Sequence, residues 1–292
     1  MKISIFTPTH RPEHLQEACA SVLAQTHQDW EWIVVPNNGA AVSLPADPRI
    51  RIVQGPETKS IGALKRFACE QATGEVFAEL DHDDVLTPDC CEVLARCFES
   101  RAIGFAYSDD YKIASDFKPF GKAFGWGDAY QFAAAGATYA AMPSFGPTAH
   151  SYFYIHTAPN HVRAWRRECY WAIGGHDATL PICDDHDLLA RTYISPWEIA
   201  QYAGRPLYGY RITGANSWLD PATNAAIQAT TRTIRDKYGY QLAQRWAAKQ
   251  SLLAIDIGGG IDSPAGFISV DREGAQMTAD LQGRWPFRDG SV

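Results

Sequence analysis

The first 115 residues alternate short apolar runs with segments of helical period, and this rhythm narrows the fold more than anything else in the chain. "KISIFTPT" is strand-like and stops at Pro8. "RPEHLQEACASVLAQT" then spaces Leu15, Ala18, Cys19, Val22 and Leu23 as a helix does, with Pro12 near its start, where a missing N–H costs little. "WEWIVVPNNG" and "IRIVQG" read as further strands closed by turn residues, and "SIGALKRFACEQATG" as a helix that delivers the chain into "EVFAEL". Repeated strand–helix–strand units make a mostly parallel sheet flanked by helices, an α/β architecture of Rossmann type.

At the end of "EVFAEL" the chain sets Asp81, His82, Asp83 and Asp84 side by side. Ligand crevices in open α/β sheets lie beyond the carboxyl ends of the strands, so the cluster stands where a site is expected. Asp81 and Asp83, one residue apart on a turn, repel unless a cation or a proton lies between them. Hard oxygen donors suit Mg²⁺ or Mn²⁺, whose coordination is normally completed by substrate phosphates. An acidic, helix-capping turn is the alternative reading of the same residues.

Further along, "TPDCCEVLARCFES" is a helix, "GFAYSDDY" a strand, and residues 112–160 are rich in Gly, Ala and aromatics, which predicts long loops. That stretch carries Trp126, Tyr130, Phe132, Tyr139, Phe145, Tyr152, Phe153 and Tyr154 with His150, His156 and His161. It reads as an acceptor wall or lid, or as ordinary loop packing. "NHVRAWRRECYWAIGG", "DDHDLLARTY", "PLYGYRITGANSW" and a long helix over 221–248 complete the regular pattern.

Composition removes other classes. A net charge of −7 with mixed signs gives no basic footprint for nucleic acid. No apolar run approaches 18 residues and no leader is visible, so the expected setting is cytoplasmic. The seven cysteines lack metal-site spacing and are expected as reduced thiols, with Cys90, Cys91 and Cys97 serving as small hydrophobes on a helix.

Taken in order, "IFTPTHRPEHLQEACASVLAQTHQDWEWIVV", "ALKRFACEQATGEVFAELDHDDVLTPD", "AYSDDY", "RAWRRECYWAIGGHD", "CDDHDLLAR" and "YGYRITGANS" resemble the GT-A glycosyltransferases of family 2 over about residues 1–245. The resemblance implies a GT-A domain over 1–248 with a long acceptor-side loop region. Asp81 and Asp83 take the DxD place, with Asp83 on the metal and Asp81 on ribose or metal. Thr7, Pro8 and Thr9 take the turn lining the nucleotide, and Lys65 falls where an Arg often stands beside base and phosphates. Asp185 takes the place of the general base and Asp184 that of the preceding Glu.

The implied reaction is inverting transfer of a sugar from a nucleotide-sugar donor, expected to be UDP-linked, to an acceptor hydroxyl, with a divalent cation assisting. The acceptor is a glycan, a lipid carrier, a protein or a modified nucleic acid. A nucleotidyltransferase and a catalytically silent nucleotide- or carbohydrate-binding module are the rival readings. Two departures stand out. The chain reads "PNNGA" where an acidic pair is usual, leaving Asn37 or Asn38 to contact base or ribose. Thr213 follows "YRI" where many members carry a metal-binding His, so that either metal affinity is weaker or His82, His176 or His186 compensates, each of these histidines having a polar supporting or surface role as its plainer reading.

Residues 249–292 change character. "LLAID", "IGGG" and "GFISV" ending in Asp271 resemble the opening of a class I S-adenosylmethionine-dependent methyltransferase, too short to be complete. The leading expectation is the truncated start of a methyltransferase domain belonging to a longer parent chain, the alternative a vestigial tail packed on the transferase, and methyl transfer is not expected of this chain.

Overall fold

The computed structural model describes residues 1–116, 118–119, 130–154, 158–214, 216–257, 262–271 and 275–278. In chain order the elements are β1 (Ile3–Thr9), α1 (Leu15–Leu23), β2 (Trp30–Pro36), β3 (Ile50–Ile52), α2 (Ile61–Gln71), β4 (Val76–Glu79) and β5 (Val85–Leu86). They continue through α3 (Cys90–Cys97), β6 (Ile103–Ala114), β7 (Tyr130–Ala134), β8 (Ala137–Met142), α4 (Ala149–Tyr154), β9 (Arg163–Arg166), α5 (Arg167–Ala172) and α6 (Asp184–Ile194). β10 (Glu198–Ile212), α7 (Pro221–Lys249), β11 (Ile255–Ile257), β12 (Ile268–Asp271) and β13 (Met277–Thr278) complete the chain.

The main sheet runs β3-β2-β1-β4-β9-β6-β10-β5. β3, β2, β1 and β4 are parallel, as are β6 and β10, while β9 lies antiparallel between β4 and β6. This is the expected α/β sheet with helices on its faces. β1, β2 and β4 are buried along their whole length, so their side chains alternate between two apolar layers. Ile3, Ile5, Trp32, Val34, Val76 and Ala78 pack with Leu15, Cys19 and Val22 of α1 and Cys90, Cys91 and Leu94 of α3. Phe6, Ile33, Val35 and Phe77 face the other way, onto Leu64 and Ala68 of α2, Leu188 and Leu189 of α6 and Ile227 and Ile234 of α7. The two-residue period thus decides which helix each strand residue meets.

The long loops expected over 112–160 give way to regular structure at several points. β6 runs on to Ala114, and β7 and β8 form a hairpin paired to it at Asp110 and Tyr111. Tyr111, Phe132 and Tyr139 put their rings together there, and the Tyr130 hydroxyl donates to Asp109 Oδ2 at 2.8 Å. Tyr130, Phe132 and Tyr139 therefore pack the hairpin, while Tyr152 lies in the layer with Leu188 and Leu189. Trp126 and His156 lie outside the described residues. All seven cysteines are free, and Cys90 and Cys91 are buried on α3 as expected. No helix among the described residues is long and apolar enough to cross a membrane.

After α7, β11, β12 and β13 form a small parallel sheet separate from the main one. Tyr240 of α7 meets Phe267 edge-on, 5.3 Å between ring centroids. The glycines 258–260 lie outside the described residues.

Candidate active site

The site begins where β4 ends. Because Phe77 faces α2 and α6, Glu79, two residues on, faces them too, and its carboxylate is 1% exposed. A carboxylate this dry needs cations, and the fold supplies them. Lys65 from α2 forms an ion pair with Oε1. Arg163, at the start of β9 beside the end of β4, brings Nη1 to 3.7 Å of Oε2. His161 Nε2 stands 3.6 Å from the same oxygen and 3.7 Å from Asp81 Oδ2. Burial pushes the Glu79 carboxyl up, but Lys65, His161 and Arg163 outweigh it and hold the group well below the ordinary carboxylate range.

The Asp81–Asp84 turn is built from the far side by β10. The Tyr208 hydroxyl donates to Asp84 Oδ2 at 2.8 Å and accepts the Asp81 backbone N–H at 3.0 Å. Arg211 donates its backbone N–H to Asp84 Oδ1 at 2.7 Å and its Nε to the Asp83 carbonyl at 2.5 Å. Asp84 is therefore a buried anchor, and Asp81 and Asp83 are the members of the turn left toward the cleft, both only partly buried. Burial and the Asp81 charge push the Asp83 carboxyl above its ordinary value.

Glu79, Asp81 and His161 offer donor atoms within 4.8 Å of one another. Glu79 Oε2 and His161 Nε2 are buried without a hydrogen-bond partner. Carboxylate oxygens and an imidazole nitrogen gathered this closely, and without a hydrogen bond between them, fit a divalent cation that accepts oxygen and nitrogen. His161 is held for this by stacking on the Tyr208 ring, 4.9 Å between centroids.

None of the three candidate compensating histidines joins this group. His176 is fully buried, with Nδ1 2.7 Å from the Tyr170 hydroxyl. His186 is buried against Tyr152. His82 meets His10 edge-on at 5.2 Å, at the rim of the turn. Nothing local in the sequence singled out His161; β9 places it by running antiparallel past the end of β4. Asp83, the expected metal ligand, is not within the group either.

The other expected residues are distributed unevenly. The Thr7 hydroxyl is inside the sheet, donating to Leu80 O at 2.7 Å and accepting Trp32 Nε1 at 2.8 Å. Pro8 and Thr9 are buried as well, and the Thr9 carbonyl accepts the Asn37 backbone N–H at 2.9 Å. That bond sets Asn37 beside the β1 end, with Asn38 exposed on the turn at φ 52°. Lys65 is 6% exposed, committed to Glu79. Thr213 donates its backbone N–H to Asn216 Oδ1 at 3.0 Å.

Asp184 and Asp185 open α6, where acidic groups complement the helix dipole. Asp185 accepts from Arg163 Nη1 at 2.8 Å and from the His186 backbone N–H at 2.8 Å, and keeps 24% of its side chain open to solvent. Burial pushes its carboxyl up, and Arg163 with Lys65 overcomes this and holds it well below the ordinary range. Asp184 is turned inward, 3.6 Å from His176 Nε2, and burial pushes it up to about 7. The neighbouring carboxyls are driven in opposite directions, and only Asp185 is both ionised and accessible.

The mixed α/β sheet, curled and mostly parallel with helices on its faces and an acidic cluster beyond the carboxyl end of β4, is consistent with a GT-A-like fold. Residues 4–173, more than half of the chain, match the model of glycosyl transferase family 2, and the chain belongs to that family. The putative teichuronic acid biosynthesis glycosyltransferase TuaG of Bacillus subtilis is 28% identical over 128 residues, 41% of this chain and 51% of that protein. The UDP-Glc:alpha-D-GlcNAc-diphosphoundecaprenol beta-1,3-glucosyltransferase WfgD of Escherichia coli is 27% identical over 126 residues, 41% of this chain and 49% of that protein. The O-antigen biosynthesis protein RfbC of Myxococcus xanthus matches 80% of this chain at 26% identity, but only 18% of its own length. The chain thus spans about half or less of these relatives. The crystal structure of S. aureus TarS 1-349 in complex with UDP-GlcNAc superposes with a TM-score of 0.57 at 13% identity, over 86% of this chain and 72% of that one. None of these similarities supports the reading of residues 249–292 as a methyltransferase start.

Proposed function

We propose that the protein is an inverting glycosyltransferase that moves a sugar from a nucleotide-sugar donor to an acceptor hydroxyl, with a divalent cation bound at the Asp81 turn. The observation that carries the reading is the cluster of Glu79, Asp81 and His161, whose donor atoms lie within 4.8 Å of one another, in a chain of this family. Asp81 and Asp83 from the turn, with Glu79 and His161 behind them, would hold the cation. When bound, it supplies Lewis-acid stabilisation of the charge that grows on a leaving diphosphate.

The chain's own residues do the rest. The β1 end and Asn37 or Asn38 flank the nucleoside, and the Tyr208–Asp84–Arg211 network fixes the turn before substrate arrives, so its ordering is not paid for during the reaction. Asp185 takes the proton of the attacking hydroxyl, on the face opposite the departing group. Sugar transfer of this kind passes through an oxocarbenium-like transition state, and displacement from the opposite face inverts the anomeric centre.

A UDP-sugar is the donor of choice, supported by the donor printed in the name of WfgD. A glycan or lipid-linked glycan is the acceptor of choice, supported by the names of TuaG, WfgD and RfbC. A cytoplasmic setting belongs to the same proposal; the methyltransferase resemblance of the tail does not.

The test is calorimetric binding of a nucleoside diphosphate panel with and without Mn²⁺, followed by transfer assays on wild type, Asp81→Asn and Asp185→Asn. Mn²⁺-dependent UDP binding that Asp81→Asn abolishes, with transfer reduced to a small but measurable residue in Asp185→Asn, is the expected result. Release of pyrophosphate in place of nucleoside diphosphate would point to a nucleotidyltransferase. Binding without turnover would reduce the protein to a binding module.

A further inference from the structure

The Arg163 guanidinium is 1% exposed and touches both halves of the site. Strand alternation explains its aim. Trp165 of β9 packs into the layer shared with α6, so Arg163, two residues earlier, emerges on the same face, at the α6 N-terminus. Its Nε is tied to the Pro159 carbonyl at 2.9 Å, which fixes the plane of the group. Its Nη1 then meets Asp185 Oδ2 at 2.8 Å and comes within 3.7 Å of Glu79 Oε2.

A buried guanidinium is a costly way to fill space, and breaking such a pair leaves an uncompensated charge. The charge has a use if Asp185 must be held in one pose. Its Oδ1 accepts the His186 N–H and its Oδ2 accepts Arg163, so both oxygens are constrained while part of the carboxylate stays open. Substrate positioning and base positioning of this kind are lost when a group rotates by a fraction of an ångström to an ångström.

We propose that Arg163 is a positioning residue that acts through Asp185, holding the carboxylate in one pose toward the acceptor hydroxyl while bracing it against the Glu79 end of the cation cluster. The proposal rests on the reading of Asp185 as general base.

The test compares Arg163→Lys, Arg163→Met, Asp185→Asn and the Arg163→Met/Asp185→Asn double variant in steady-state transfer assays, with melting curves to confirm folding. Arg163→Met is expected to lower kcat by ten- to a hundredfold, with the donor KM within about threefold of wild type, and Arg163→Lys to recover part of the loss. The double variant is expected to be no slower than Asp185→Asn alone, because a residue acting through Asp185 has nothing left to position. Independent, multiplying losses would overturn the proposal and leave Asp185 as base. Full kcat in folded Arg163→Lys and Arg163→Met would overturn it too. Full kcat in Asp185→Asn would instead remove the underlying reading, and the proposal with it. Should Arg163→Met not fold, Arg163→Lys and its double with Asp185→Asn carry the same comparison.

Discussion

Replacing Lys65 by Met keeps the length and bulk of the side chain and removes the charge on which Glu79 most depends. Both partners are nearly dry, with side chains 8% and 1% exposed. Breaking one side of a buried pair costs about 3–5 kcal/mol. Arg163 and His161 remain at 3.7 and 3.6 Å from Glu79, which places the expected loss at the lower end, about 3 kcal/mol. For a chain of 292 residues, an unfolding entropy of about 2.1 cal/mol/K per residue converts this to a fall in Tm of about 5 °C.

The pH dependence of the wild-type pair follows from the two shifts. Burial lowers Lys65, but Glu79 together with Asp184, Asp81 and Asp185 outweighs it and raises the group in the folded chain, so its contribution is complete below the ordinary lysine range and lost only as pH rises through its folded value. Glu79 is lowered, so its contribution is complete above the ordinary carboxylate range and lost as pH falls through its folded value. The full deficit of Lys65→Met therefore lies between about pH 5 and 9, and narrows toward acid as Glu79, stripped of its main partner, takes up a proton. Differential scanning fluorimetry at pH 5, 7 and 8.5 on wild type, Lys65→Met and Lys65→Met/Glu79→Gln measures this. The double variant should melt above the single one, since it no longer buries a bare charge. A Lys65→Met protein that melts within about 1 °C of wild type, or a double variant that melts lower still, would refute the argument.

Two other outcomes are expected. Asp184 is pushed up to about 7 by burial, with Asp185 and Glu79 adding to the effect, so the folded chain holds a proton that the unfolded chain releases near pH 4. Wild-type stability should therefore fall between about pH 4 and 7 on this account, by at most about 4 kcal/mol, and Asp184→Asn should remove that slope in urea titrations taken across the range. Thr7→Val keeps the shape of the side chain but strands the Trp32 indole N–H and the Leu80 carbonyl inside the sheet. It should cost about 2–4 kcal/mol in chemical denaturation.

The parts of this molecule that were legible in its sequence are those written locally. The strand and helix periods of the first hundred residues specify which side of the sheet each residue faces, and "EVFAEL" followed by aspartates marks the strand end where the turn lies. The helix over α6 and the long α7 were equally plain, since apolar spacing and the Asp220–Pro221 start are properties of neighbouring residues; the Asp220 carboxylate accepts the Thr223 N–H at 2.7 Å. What the sequence hid depends on pairing across long separations. His161 and Arg163 sit 82 and 84 positions after Glu79, and they meet it only because β9 enters the sheet antiparallel between β4 and β6. No periodicity announces an antiparallel strand in an otherwise parallel half-sheet. Lys65, which the resemblance sets beside base and phosphates, is paired in the structure with Glu79 of β4, a partner that no local pattern announces. The chemistry of the site follows from the insertion of β9. By running past the end of β4, one short strand and the residues just before it bring the imidazole that faces Asp81 and the guanidinium that grips Asp185, so the two halves of the proposed site share a single mechanical support. A substitution that shifts β9 by a fraction of an ångström should disturb both halves together, whereas one in the Asp81–Asp84 turn should disturb only the first.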